Sequence, residues 1–212
     1  MENSNDKNRD KESPQRRLAV FDFDGTLTSR DSLGEFIRYA RGTGGFLSAV
    51  LKSLPKIAAW KLGRISNSEA KQALFSRAFG GMSLSRFDEL GRGFAEKVDG
   101  MLRPDVLAEM RRAADRGETV VVLSASVGNW IRPWAARNDV DRVIATEAEV
   151  GKSGLITGRF ATPNCYGAEK VRRLEEAYPE LKERRASFHV SAWSDSGSDS
   201  PLFDYADEAH RV

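Results

Sequence analysis

Four short apolar runs, at 18–21, 119–123, 142–145 and 188–193, constrain this chain more than any other feature, because helical patterns separate most of them. Strands that alternate with helices imply an α/β fold with a parallel sheet. Residues 104–116 illustrate the pattern. Pro104 opens a helix, Val106, Leu107 and Met110 share one face, and Gly117 stops it ahead of the second run. Between the first two runs the chain is far longer than a crossover needs, and its periodicity is helical. It predicts helices at 32–40, 45–62, 66–79 and 84–98, broken by Gly42-Thr43-Gly44, Gly63 and Gly80-Gly81. The insertion, residues 29–102, therefore reads as a second, all-helical domain. The core domain is then 16–28 plus 103–212.

Residues 1–15 are almost wholly polar and read as a disordered tail with no signal-peptide character. No stretch of about 18 apolar residues is present, so no spanning helix is expected. With 33 basic and 31 acidic residues, the net charge of +2 makes no case for nucleic-acid binding. A single cysteine, Cys165, excludes an internal disulfide and fits a reducing compartment, the cytoplasm. The sequence stops at His210-Arg211-Val212 as a polar stretch turns strand-like, which reads either as a very short last strand or as a natural protein that continues.

The first run leads into Asp22-Phe23-Asp24-Gly25-Thr26. Strand alternation lets Asp22 and Asp24 point to one side, where two carboxylates repel unless one is protonated or a hard cation such as Mg²⁺ lies between them. In an open parallel sheet, ligands bind at the carboxyl ends of the strands. Gly25 supplies the turn and lets backbone N–H groups approach a phosphate. Taken alone, the same residues also describe an ordinary loop after a strand. Ser124 follows the second run and Asp195 and Asp199 follow the last, repeating the placement of polar groups at strand ends. Lys170 lies in the first turn of a helix, where the helix dipole disfavours a cation unless an anion is bound nearby.

In order, Asp22-Phe23-Asp24-Gly25-Thr26, Leu123-Ser124-Ala125-Ser126, Gly167-Ala168-Glu169-Lys170 and Ser194-Asp195-Ser196-Gly197-Ser198-Asp199 resemble the four motifs of the haloacid dehalogenase-like hydrolases. The helical insertion after the first motif is similar to the phosphoserine phosphatase-like subfamily. Residues 164–171 and 31–39 are more similar to the phosphatidylglycerophosphate phosphatase C branch. The resemblance implies a Rossmann-like core sheet flanked by helices, an all-helical cap of the C1 type, and a Mg²⁺-dependent phosphatase. It further implies that Asp22 becomes an aspartyl phosphate and that Asp24 is the general acid and base. Mg²⁺ would be held by Asp22, the Asp24 carbonyl and Asp195, with Asp199 completing or orienting the shell. Ser124 and Lys170 would bind phosphoryl oxygens, assisted by Thr26 and the amides of Gly25 and Ala125. Trp193 departs from the tyrosine that relatives often carry.

The substrate stays open between a lipid phosphate and a soluble monoester such as phosphoserine. Helix 45–62 mixes Phe46, Leu47, Val50, Leu51, Leu54, Ile57 and Trp60 with Lys52, Lys56 and Lys61, and Arg64 follows it. Such a helix can lie at the inner face of a membrane or pack within the protein. Pro55 is expected to kink or divide it. A catalytically idle fold that binds lipid or a partner, and a phosphotransferase, are the remaining alternatives. His189 and His210 complete no metal-ligand spacing. Oligomeric state is not encoded in any of these features.

Overall fold

The computed structural model describes residues 15–212. The predicted tail lies outside them except for Gln15, whose side chain donates to the Ala186 carbonyl at 2.8 Å.

Five strands form one parallel sheet: β1 (Arg16–Asp22), β2 (Thr119–Val127), β3 (Arg142–Thr146), β6 (Phe188–Ser194) and β7 (Glu208–Arg211), in the order β3-β2-β1-β6-β7. Burial on both faces explains the continuous apolar runs. From β1, Ala19 and Phe21 enter one core cluster while Leu18 and Val20 enter the other, and Val120 and Val122 of β2 alternate with Val121 and Leu123 in the same way. The chain steps outward from β1 to β3 and then crosses to β6 on the other side of β1. That reversal makes the carboxyl ends of β1 and β6 the place where a crevice opens.

One face of the sheet carries α4 (Pro104–Asp115) and α5 (Gly128–Ala135), and the three helices of the insertion join the same apolar cluster. The other carries α6 (Ala168–Ala177), α7 (Pro179–Glu183) and α8 (Ser200–Tyr205). The inserted helices are α1 (Ser32–Lys61), α2 (Asn67–Phe79) and α3 (Leu84–Val98). Their starts follow capping chemistry. Asp31 accepts from the Gly34 amide, Ser66 and Glu69 form a reciprocal capping box, and Ser83 accepts from the Arg86 amide.

The helices expected at 32–40 and 45–62 are both present within α1 and meet at a kink at Gly42 (φ 69°, ψ 173°), with Thr43 and Gly44 already helical. One expectation is corrected: the second of these helices runs on through Pro55 rather than dividing there. A second sheet was not anticipated: β4 (Ala148–Val150) and β5 (Ile156–Phe160) form an antiparallel hairpin closed by the Gly151–Gly154 turn. The hairpin packs against α2, with Phe160 beside Phe75. Trp193 stacks between Phe21 and His210, at 4.4 Å from each ring.

Candidate active site

Asp22 is the last residue of β1, and the turn after it is held tightly. Gly25 has φ 86°, and a Cβ there would sit 2.4 Å from Asp195 Oδ2, so both conformation and space demand glycine. The Thr26 hydroxyl bridges the two strand ends. It lies 3.3 Å from Asp22 Oδ2 and 3.2 Å from Asp195 Oδ1, and it accepts from the Asp195 amide at 3.0 Å. Its single proton serves one carboxylate at a time.

Lys170, in the first turn of α6, is buried between two carboxylates. Its Nζ lies 2.7 Å from Asp22 Oδ1 and 2.5 Å from Asp199 Oδ2. The Ser194 hydroxyl donates to the same Asp199 oxygen at 2.6 Å. Burial alone would lower the lysine's pKa, but the charges of Asp22 and Asp199 more than reverse this and fix it as a cation. Burial pushes Asp22 up to about 6, with Lys170 opposing and Asp199 adding to the rise.

Asp24 faces the helical layer. Its Oδ1 accepts from the Ser32 amide at 2.7 Å and its Oδ2 from the Ser126 hydroxyl at 2.5 Å. Burial is the main reason its pKa is raised, Asp31 adds to the rise, and Lys71 opposes it. Ser32 is itself fixed, because its hydroxyl accepts from Trp130 Nε1 at 3.0 Å. Lys71 reaches from α2 to within 3.4 Å of the Ser126 hydroxyl.

These groups surround a cavity of about 170 Å³ lined by Asp22, Asp24, Ala125, Lys170 and Asp199 from the predicted set. Gly25, Thr26, Ser124 and Asp195 stand beside it rather than in its lining. Ser124 is fully buried and accepts from the Ser126 amide at 3.0 Å. The cavity wall also includes Asp31, Asn67, Lys71, Tyr166, Ser196 and Ser198, none of which was predicted as a site residue. Tyr166, Ser196 and Ser198 belong to the loops that carry the third and fourth motifs. Asn67 and Lys71 carry no sequence signal, since helical polar residues are usually solvated.

The donor set suits a hard divalent cation, being oxygen-rich and including a buried Asp199 Oδ1 that has no hydrogen-bond partner. Side chains alone do not form a cage. Among the described residues no group of three or more His, Cys, Asp or Glu is spaced to hold a metal. The ligand set implied by the motifs takes one donor from a backbone carbonyl, that of Asp24.

The sequence profile of the haloacid dehalogenase-like hydrolases matches residues 19–204. Protein CicA of Caulobacter vibrioides is 30% identical over 193 residues, which cover 90% of this chain and 83% of that protein. A solved Bordetella pertussis Tohama I protein of unknown function has TM-score 0.76 at 22% identity, covering 92% of this chain and 89% of that one. A phospho-aspartyl intermediate analogue of phosphoserine phosphatase has TM-score 0.65 at 18% identity, covering 92% and 85%. At those identities the two structures bear on the fold alone. Profile and relative agree, and the chain belongs to the haloacid dehalogenase-like hydrolases.

Proposed function

We propose that this hydrolase cleaves a phosphate monoester with Mg²⁺ as cofactor, residues 29–102 acting as a cap over a core of 16–28 and 103–212. The observation that carries the reading is the buried Asp22–Lys170–Asp199 group at the carboxyl end of the sheet, with Asp24 lining the same cavity. An Asp22 oxygen attacks phosphorus as the ester P–O bond breaks, and Asp24 gives its proton to the leaving oxygen. Asp24 then takes a proton from water, whose oxygen attacks the aspartyl phosphate. The bond from phosphorus to Asp22 breaks, inorganic phosphate leaves and Asp22 is restored. The raised pKa of Asp24 suits the first half of this cycle.

Lys170 neutralises phosphoryl charge, and Ser124 with the amides of Gly25 and Ala125 orients the oxygens, the stabilisation such a transfer mainly requires. Mg²⁺ would be held by Asp22, the Asp24 carbonyl and Asp195, with Asp199 orienting the shell. When bound it supplies counter-charge to the carboxylates and the phosphoryl oxygens.

A second reading places the enzyme on a membrane, near the phosphatidylglycerophosphate phosphatase C branch and with a lipid phosphate as substrate. It rests on the far half of α1. Leu47, Leu51, Leu54 and Leu62 are exposed at helical spacing, and between Gly42 and Glu69 four basic residues, Lys52, Lys56, Lys61 and Arg64, occur with no acidic one. An anionic lipid surface complements both features. Among the described residues no helix is long and apolar enough to cross a membrane, so the contact would be peripheral.

The test is phosphate release from phosphatidylglycerophosphate in mixed micelles beside phosphoserine, with and without Mg²⁺. We expect Mg²⁺-dependent release that vanishes in Asp22→Asn. Release that survives this substitution, or that ignores chelation, removes the mechanism.

A further inference from the structure

A second cavity of about 300 Å³ lies between α1 and α2 and adjoins the first. The two share three lining residues, Asp31, Asn67 and Lys71. Beyond this polar rim the second cavity is walled by Leu33, Ile57, Trp60, Ala70 and Leu74 alone. Polarity therefore changes sharply over a short path. Carboxylates and Lys170 stand where a phosphoryl group would react, one anion and one cation stand at the neck, and hydrocarbon lines the far end.

We propose that this chamber is the leaving-group site, and that it selects phosphate monoesters whose alcohol carries a hydrocarbon chain. The inference rests on the phosphomonoesterase reading above. With phosphorus beside Asp22, the ester oxygen and the first polar atoms of the alcohol lie at the neck, within reach of Asn67 and Lys71. The rest of the alcohol must extend into the chamber. A charge carried past the neck would lose its hydration and meet no partner among the wall residues, whereas each methylene would leave water for an apolar wall. Ile57, Trp60 and Leu74 are then specificity-determining residues. Trp60 is 40% exposed, so its ring is free to close over a chain without first leaving a packed core. On this view the selectivity resides inside the protein and operates on monomeric substrate, independently of any bilayer.

The experiment is a ladder of ethyl, butyl, hexyl and octyl phosphate, each kept below its micelle-forming concentration, beside phosphoserine and beside phosphatidic acid in vesicles. We expect kcat/KM to rise about two- to fourfold per added methylene, through KM, until the chamber is filled. Leu74→Ser and Trp60→Ala should flatten that slope while thermal unfolding shows that the proteins remain folded, the slope and not the absolute rate being the readout. A flat ladder with phosphate still released from every member overturns the chamber and leaves the hydrolase intact, as does a preference for phosphoserine. Chain-length preference seen only in vesicles overturns it by assigning the selectivity to the bilayer. Release from no substrate at all removes the underlying reading as well.

Discussion

The two helices that meet at Gly42 within α1 present two different surfaces. Before Gly42 the helix is locked in place. Leu33, Phe36 and Ile37 are buried, and the Phe36 ring meets Phe79, Phe87, Phe94 and Trp130, with Trp130 stacked at 4.4 Å. The same half begins with Ser32, whose amide holds Asp24. After Gly42 the helix rests on α2 through Ala49 and Ser53 and turns leucines outward. Leu51 is 64% and Leu62 67% exposed. The near half thus fixes the position of the Asp24 carboxylate, which we propose as the general acid, and the far half keeps its apolar side chains exposed. A helix uniformly buried could not have done both.

The largest effect belongs to the anchored half. Phe36→Ala deletes a ring that four aromatic neighbours enclose, so it should destabilise the protein by about 3–5 kcal/mol. It should also loosen the Ser32 end and slow turnover in the fraction that stays folded. A denaturant melt with a phosphate-release assay measures both. If Phe36→Ala costs no more than an exposed-leucine change, the contrast between the halves has no energetic basis.

The joint comes next. Gly42 occupies φ 69°, ψ 173°, a region almost closed to side-chain-bearing residues, although no atom outside its immediate neighbours lies within 4 Å of where a Cβ would be. Gly42→Ala therefore costs backbone strain and not packing, about 1–3 kcal/mol. A straightened α1 is the other way to relieve that strain. It would swing Ile57 and Trp60 away from Leu74, so chain-length selectivity should fall more than turnover of short esters. Equal losses on both would mean that the kink sets stability alone.

What the sequence disclosed and what it concealed divides along similar lines. The core strands were legible because burial on both faces writes uninterrupted runs such as Thr119-Val120-Val121-Val122-Leu123. The motif residues were legible because each follows such a run or opens a helix. The joint in α1 was legible because Gly42-Thr43-Gly44, three poor helix formers, reads as a break, although only Gly42 leaves helical geometry. The hairpin at Ala148–Val150 and Ile156–Phe160 was concealed because its strands are short and half-exposed and one is interrupted by Gly158. Asn67 and Lys71 enter the site through contacts between α2 and β2, which are far apart in sequence. No local pattern reports such a meeting.

The smallest effect on stability is expected where the exposed stripe is cut. Leu51→Gln keeps a good helix former at a position 64% open to water, so unfolding should shift by less than about 0.5 kcal/mol. Its effect should appear instead on a surface. If the stripe enters an anionic monolayer, Leu51 transfers most of a leucine side chain out of water, and its loss should weaken binding to phosphatidylglycerol vesicles about tenfold. Cosedimentation at low and high salt separates that apolar contribution from the attraction of Lys52, Lys56, Lys61 and Arg64, which salt screens. Substitutions of Leu47 and Leu54 should behave alike, because all three lie on one face of the helix. Binding that ignores these leucines and responds only to salt would leave the far half of α1 as a basic patch. In that case the apolar chamber behind it, and not the outer stripe, would account for the hydrocarbon on this helix.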